Sequence, residues 1–159
     1  KLGRRYRVAS DTDRFLMCYD TESADVLTSK PYLEALNAPT PRTRQALTWF
    51  RAPLRNLYSL ETSSGKAGPT AAPVLATLRI DAAEAKASTQ SPPLNSAELA
   101  TAAHGATGSD LIRLAIYRVD PAGAGVSTGE RAIHGAAAEE AGTLIWIETT
   151  ELGLLEDLR

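Results

Sequence analysis

A two-unit α+β fold, each unit ferredoxin-like, is predicted by three features of the sequence. Arg4-Arg5-Tyr6-Arg7-Val8-Ala9 and Arg14-Phe15-Leu16-Met17-Cys18-Tyr19-Asp20 are strand-length segments separated by the polar turn Ser10-Asp11-Thr12-Asp13. Helical segments and then a strand over Leu54–Glu61 follow, and the order hairpin, crossover helix, strand is the back half of a ferredoxin-like unit. The same kinds of element recur after residue 73, so the expected architecture is a pseudo-dimeric α/β barrel, two sheets facing one another around a cavity. The predicted order, ββαβ then βαββα, leaves a β-α pair expected before Lys1 and a strand expected after Arg159. The expected boundaries are 1–64 for the C-terminal part of the first half, 65–73 for a linker, and 74–159 for a second half incomplete at its end.

Each element has its own signal. Ser23-Ala24-Asp25 offers a helix start, with Val26 and Leu27 beginning an apolar face. Pro31 suits the first turn of a helix carrying Tyr32, Leu33 and Leu36, and Asn37-Ala38-Pro39-Thr40-Pro41 is expected to break it. Thr43 to Phe50 forms another amphipathic stretch, with Leu47, Trp49 and Phe50 available for packing. Val74 to Ile80 is a strand of near-continuous apolarity, as expected of a central position. Ala82 to Pro93 reads as a flexible linker, and Asn95 to His104 as a short capped helix ended by Gly105 and Gly108. Leu111–Val119 and Thr143–Thr149 are the clearest strands; between them Gly123–Ala141, rich in Gly and Ala, is expected to be a long loop. The last residues, Leu152 to Arg159, start a helix.

Bulk properties narrow the function. The chain has 159 residues, 43% hydrophobic and 23% charged, values of a globular protein able to build a core without disulfides. Its net charge of −2 offers nothing to a phosphate backbone or an anionic bilayer, so neither nucleic acid nor membrane is an expected partner. The basic run Lys1, Arg4, Arg5 and Arg7 alternates with Leu2, Tyr6 and Val8, as a strand with one wet face would. Cys18, the single cysteine, points to a reducing compartment, and a cytoplasmic location is expected. No apolar run approaches the length of a transmembrane helix. No HxH, HxxxH or CxxC spacing supports a metal, no Gly-rich loop leads from a strand into a helix, and no GxSxG elbow occurs.

The first third of the chain also resembles a known family. Gly3-Arg4-Arg5-Tyr6-Arg7-Val8-Ala9 with Arg14-Phe15-Leu16-Met17-Cys18-Tyr19-Asp20 is similar to the hairpin of the EthD-like dimeric α/β-barrel proteins. Asp25-Val26-Leu27-Thr28-Ser29-Lys30-Pro31-Tyr32, Pro41-Arg42-Thr43-Arg44 and Phe50-Arg51 are similar to the segments that follow it, so the likeness runs over about residues 3–61. The resemblance implies two ferredoxin-like halves in one chain around a small-molecule cavity. It implies membership among decarboxylating, dehydrating, cyclising or monooxygenating enzymes, or among relatives without chemistry. Many members carry a Trp-Tyr…Glu-His segment on the first helix of a half; here Leu94–Gly108 stands in that place in the second half and keeps only His104.

The candidate chemistry lies on the strands, whose side chains alternate between faces. Tyr19 carries a hydroxyl that needs a partner, so Phe15, Met17 and Tyr19 are assigned to the cavity, and Leu16 and Cys18 to the helices. The same argument turns Tyr6, Tyr58 and Tyr117 inward; phenols there bind an aromatic ligand and act as weak general acids, or simply pack. Arg113 shares a face with Tyr117, with Arg118 on the other, and could grip a carboxylate or enolate. Trp146 and Glu148 share a face, making Glu148 a candidate base if that face is the cavity. His104 and His134 are the two histidines, candidates for a proton shuttle. Tyr19, Tyr58, Tyr117, Arg113, Glu148 and His104 are therefore the catalytic candidates, and Tyr6, Phe15, Met17 and Trp146 the substrate-binding ones, with no cofactor and no metal expected. The expected function is a cofactor-independent cyclase, dehydratase or isomerase acting on an aromatic or polyketide-like compound, as a monomer or homodimer. The alternatives are a non-catalytic ligand-binding or structural barrel, and a haem or oxygen-using enzyme that would need His104.

Overall fold

Alternation of polar and apolar residues places the first two strands side by side. β1 (Leu2–Val8) and β2 (Asp11–Asp20) form an antiparallel hairpin in this computed structural model, which describes residues 2–65, 72–81, 98, 101, 105, 111–120, 128–135 and 142–151. The turn is tighter than the sequence predicts: it occupies Ala9 and Ser10, and Asp11 already pairs with Val8. Pairing then jumps to Arg7 opposite Phe15, an irregularity that takes up Thr12 to Arg14. Asp11 sustains it locally, its carboxylate accepting from the Asp13 amide at 3.2 Å.

The other strands are β3 (Tyr58–Gly65), β4 (Val74–Asp81), β5 (Leu111–Val119) and β6 (Gly142–Thr149), in one sheet of order β3-β5-β6-β4. β6 pairs antiparallel with both β4 and β5. The chain is thus an α+β mixture with two separate sheets, and no closed barrel exists among the described residues. The larger sheet takes β3 from the stretch expected to form the first half and β4, β5 and β6 from the second. Val74 to Asp81 lies at an edge of this sheet rather than at its centre; β5 and β6 hold the centre, and they carry the buried residues.

By contacts the chain divides into two units. One comprises 1–20, 60–118 and 142–159, and therefore the hairpin and nearly all of the larger sheet. Its core is built on one face of the central strands, where Leu114 and Ile145 are joined by Ile80, Leu111 and Ile147. Burying Leu114 and Ile145 contributes about 1.5–3 kcal/mol each, and the partly buried neighbours add less. The opposite face presents Arg113, Ala115 and Tyr117 on β5 across from Glu148, Trp146 and Leu144 on β6. Ala115, opposite Trp146, is fully buried, and its small side chain accommodates the indole across the strand pair.

The other unit, 21–59 and 119–141, holds the helices. α1 (Asp25–Thr28) leads into α2 (Lys30–Asn37), with Pro31 in its first turn as predicted. Pro41 starts α3 (Pro41–Leu47) rather than merely ending α2, because the Thr40 hydroxyl accepts from the Thr43 amide and caps the new helix. Leu47 is buried, whereas Trp49 is 70% exposed and Phe50 also faces solvent. Within the expected loop Gly123–Ala141 a helix forms, α4 (Gly129–His134). Thr128 caps its start by accepting from the Arg131 amide, and Gly135, at φ 63°, closes it in the left-handed region. The Asn37 side chain ties it to the end of α2, accepting from the Gly129 amide at 2.7 Å.

Gly65 ends β3 at φ +85°, where a Cβ would lie 2.3 Å from the Ile112 carbonyl oxygen. Gly65→Ala therefore meets both strain and a backbone clash on the neighbouring strand. Urea unfolding of this variant is expected to show a loss of about 2–3 kcal/mol.

Candidate functional site

The pleat and register of the hairpin decide which side chains meet the larger sheet. Arg4 lies opposite Cys18 and Tyr6 opposite Leu16, so these four share a face, and Arg5, Arg7, Phe15, Met17 and Tyr19 share the other. Arg4 is buried and reaches β6, where its Nη1 donates to Glu148 Oε1 at 2.6 Å. Its Nη2 donates to Asp20, at the more open end of the same strand pair. Glu148, 2% exposed, also accepts from Trp146 Nε1 at 2.8 Å, and Arg113 Nη1 stands 3.9 Å from the same oxygen. Arg113 turns its Nη2 to Tyr117, donating to the phenol oxygen at 2.9 Å. The Trp146 ring is met edge-on by Tyr6 and by Tyr117, each with centroids 6.2 Å away, and by the Arg4 guanidinium at 5.7 Å.

Burial sets the ionisation of this cluster. Burial alone would lower the Arg4 pKa, but attraction and hydrogen bonding to Asp20, with Glu148 adding to them, hold it above its ordinary value. Tyr6 is pushed up by burial and by the Glu148 charge, against a smaller pull from Arg4. Tyr117 is likewise raised by burial, against the pull of the Arg113 charge and hydrogen bond. Both phenols are therefore neutral at physiological pH, a state in which a hydroxyl can donate and is no phenolate base. Burial also raises Cys18, whose thiol donates to the Arg4 carbonyl at 3.8 Å, so it is no reactive thiolate.

The sequence-derived candidates are placed unevenly. Tyr117, Arg113, Glu148, Trp146 and Tyr6 are brought together. Phe15, Met17 and Tyr19 lie on the opposite face of the hairpin; Tyr19 is 62% exposed and Phe15 lies beneath the guanidinium of Arg5, 4.2 Å away. Orienting the strand by the tyrosine hydroxyl fails because Arg4 governs the choice: its buried charge needs Glu148 far more than an exposed phenol needs a cavity. Tyr58 starts in the helical unit, where its hydroxyl accepts from Asn56 at 3.0 Å. Arg118 takes the face away from Arg113, as predicted, and pairs with Glu61 at 3.0 Å. His104 lies outside the described residues, and His134 ends α4. Arg4 and Asp20 were not among the candidates; the signal available was Arg4 at alternating spacing with Tyr6, on a strand otherwise read as wet. Among the described residues no group of three His, Cys, Asp or Glu side chains could hold a metal ion, and no helix is long and apolar enough to cross a membrane.

Comparison with protein-family models, curated proteins and solved structures finds no match for this chain.

Two outcomes follow. Glu148→Gln strips the buried guanidiniums of their shared anion and is expected to cost about 3–5 kcal/mol in urea unfolding, whereas Asp20→Asn, at a half-exposed carboxylate, costs below about 1 kcal/mol. The phenols give a pH signature. Folding favours their neutral form, so this contribution is complete below the unfolded tyrosine pKa near 10 and is lost as pH rises towards their higher folded values. Thermal melts between about pH 9 and 11 should fall less steeply for Tyr6→Phe and Tyr117→Phe than for the parent.

Proposed function

We propose that the protein binds a small carbonyl compound against Trp146 and promotes its enolisation without a cofactor. This is the proton-transfer step that isomerases, dehydratases and cyclases of aromatic or polyketide-like compounds share. The observation that carries the reading is the placement of two neutral, half-buried phenols, Tyr6 and Tyr117, each edge-on to one indole, with Arg113 hydrogen-bonded to the second. A phenol donating to a carbonyl oxygen stabilises the charge that grows there as the α-proton departs. Arg113, bonded to the phenol oxygen, makes Tyr117 the better donor and supports negative charge on it. Water takes the α-proton. Glu148 is a positioning residue in this scheme, its Oε1 already taken by the Arg4 guanidinium and the Trp146 indole N–H. Completion of the two sheets into a tandem ferredoxin-like barrel, as a monomer or homodimer in the cytoplasm, belongs to the same proposal.

A second reading, a ligand-binding or structural protein without turnover, is favoured by the tight pairing of Glu148, which is what a structural ion cluster would show. Deuterium exchange separates the two. With aryl methyl ketones in D2O, the parent protein should speed loss of the α-proton NMR signal over buffer. Tyr117→Phe should lower the protein-dependent rate about 100-fold, and the exposed Tyr19→Phe should leave it unchanged. Exchange at the buffer rate with the parent protein would favour the second reading.

A further inference from the structure

The hairpin has an edge that its own sheet leaves open. Among the described residues β2 pairs with β1 alone, and the larger sheet adds no strand to either. β2 runs for ten residues, and Asp13 to Met17, Tyr19 and Asp20 along it are exposed. Even Leu16, on the same face as the buried Arg4, is 36% exposed, because β1 carries the contacts to β6 through Arg4 and Tyr6. A two-stranded sheet is marginally stable by itself in water, and an open edge is a template for another strand. The two edges of the hairpin differ in protection. Two-fold antiparallel pairing of β1 with itself, centred on any residue from Arg4 to Arg7, sets arginine against arginine. On β2 the run Phe15-Leu16-Met17-Cys18-Tyr19 holds neither charge nor proline to discourage pairing.

We infer that the open edge of β2 is an interface to a second copy of this chain, the two β2 strands pairing antiparallel about a two-fold axis at Met17. The charges choose this register. Arg14 then stands opposite Asp20 of the partner subunit, Phe15 opposite Tyr19 of the partner subunit, and Leu16 opposite Cys18 of the partner subunit, each pair made twice. Opposite charges and paired aromatic rings directly across strands both stabilise a sheet. The charged groups are accessible for it, with the Arg14 side chain 79% and the Asp20 side chain 49% exposed. Moving the axis by one residue loses both gains: centred on Leu16 it faces Arg14 with a cysteine, and centred on Cys18 it faces Leu16 with an aspartate. On the outer face the Phe15 ring, already flanked by Arg5 and Arg7, acquires an aromatic neighbour. The inference concerns the hairpin alone and stands or falls independently of the enolisation reading.

One strand edge makes a small interface, so a weak dimer is expected, with a Kd of about 10–100 μM. Sedimentation velocity on the full chain, at concentrations bracketing that value, should show monomer giving way to dimer. Met17→Lys sets two ammonium groups against each other at the axis and should abolish the dimer over the same range. Met17 is 45% exposed, so the substitution leaves the folded monomer intact. Disulfide trapping in a Cys18→Ser background reads the register. The two Cα atoms of Met17→Cys would lie about 4.5–5.5 Å apart across the axis, within disulfide range. Oxidised glutathione, reduced as the two thiols lose their electrons and protons, should link this variant. It should not link Phe15→Cys, whose two copies stand about 13 Å apart, four residues along the strand. A dimer that survives Met17→Lys, linkage of Phe15→Cys, or linkage of neither variant would each overturn the inference. A chain that stays monomeric throughout would overturn it too, and protection of the β2 amides from hydrogen exchange in that monomer would assign the edge to another segment of the same chain.

Discussion

The Glu148 carboxylate is the constraint around which the sheet-bearing unit is organised. It is a nearly inaccessible charge on a central strand, and a lone carboxylate there would be intolerable. Its compensation comes from 144 residues away in sequence, from Arg4 on the hairpin, together with the indole N–H two residues before it. That requirement fixes which face of the hairpin turns inward. It also fixes the hairpin's register, because a slip of one residue would send Arg4 to solvent and Arg5 or Gly3 inward. Apolar packing alone, supplied by Leu114 and Ile145 on the other face of the larger sheet, has no such power to specify orientation.

The outer face of the hairpin follows from the same choice. Once Arg4, Tyr6 and Cys18 are committed inward, Arg5, Arg7, Phe15, Met17 and Tyr19 are left outward. They pack among themselves: Phe15 is flanked by the guanidiniums of Arg5 and Arg7, and the Tyr19 ring lies over Gly3, whose missing side chain makes the space. Cross-strand contacts of this kind stabilise a two-stranded sheet that has little backbone pairing to rely on.

Much of this was legible in the sequence. Strands with strong alternation or apolar runs, such as Leu111–Val119 and the one containing Trp146, declared themselves, and period-two reasoning paired Arg113 with Tyr117 and Trp146 with Glu148 on common faces. What escaped were facts set by distant partners. Nothing in the run itself distinguishes Arg4 from Arg5 and Arg7; its partners Glu148 and Asp20 do. Phe15, Met17 and Tyr19 face outward for that reason, because a buried ion pair outranks the need of a phenol for a partner. The helix Gly129–His134 was hidden by its Gly/Ala-rich surroundings, although Thr128, an acidic first turn at Glu130 and Gly135 are together a complete set of start and stop signals. Val74 to Asp81 looked central because its run is apolar, but strand order is a property of the whole sheet, which one strand's composition does not reveal.

Ala115 and Trp146 face each other across the central strand pair, the smallest chiral side chain opposite the largest. With Ala115 wholly inaccessible, the space beneath the indole is already spent, and neither position can drift by itself. A larger residue at 115 displaces the ring from Tyr6 and Tyr117 and pulls the indole N–H off Glu148; a smaller one at 146 opens a void and takes from the same carboxylate one of its donors. Sequence change at these two sites is thus coupled through volume on one side and through a hydrogen bond on the other. A chain carrying a bulkier residue at 115 is expected to have given up the indole, and with it the ring on which the polar cluster is assembled.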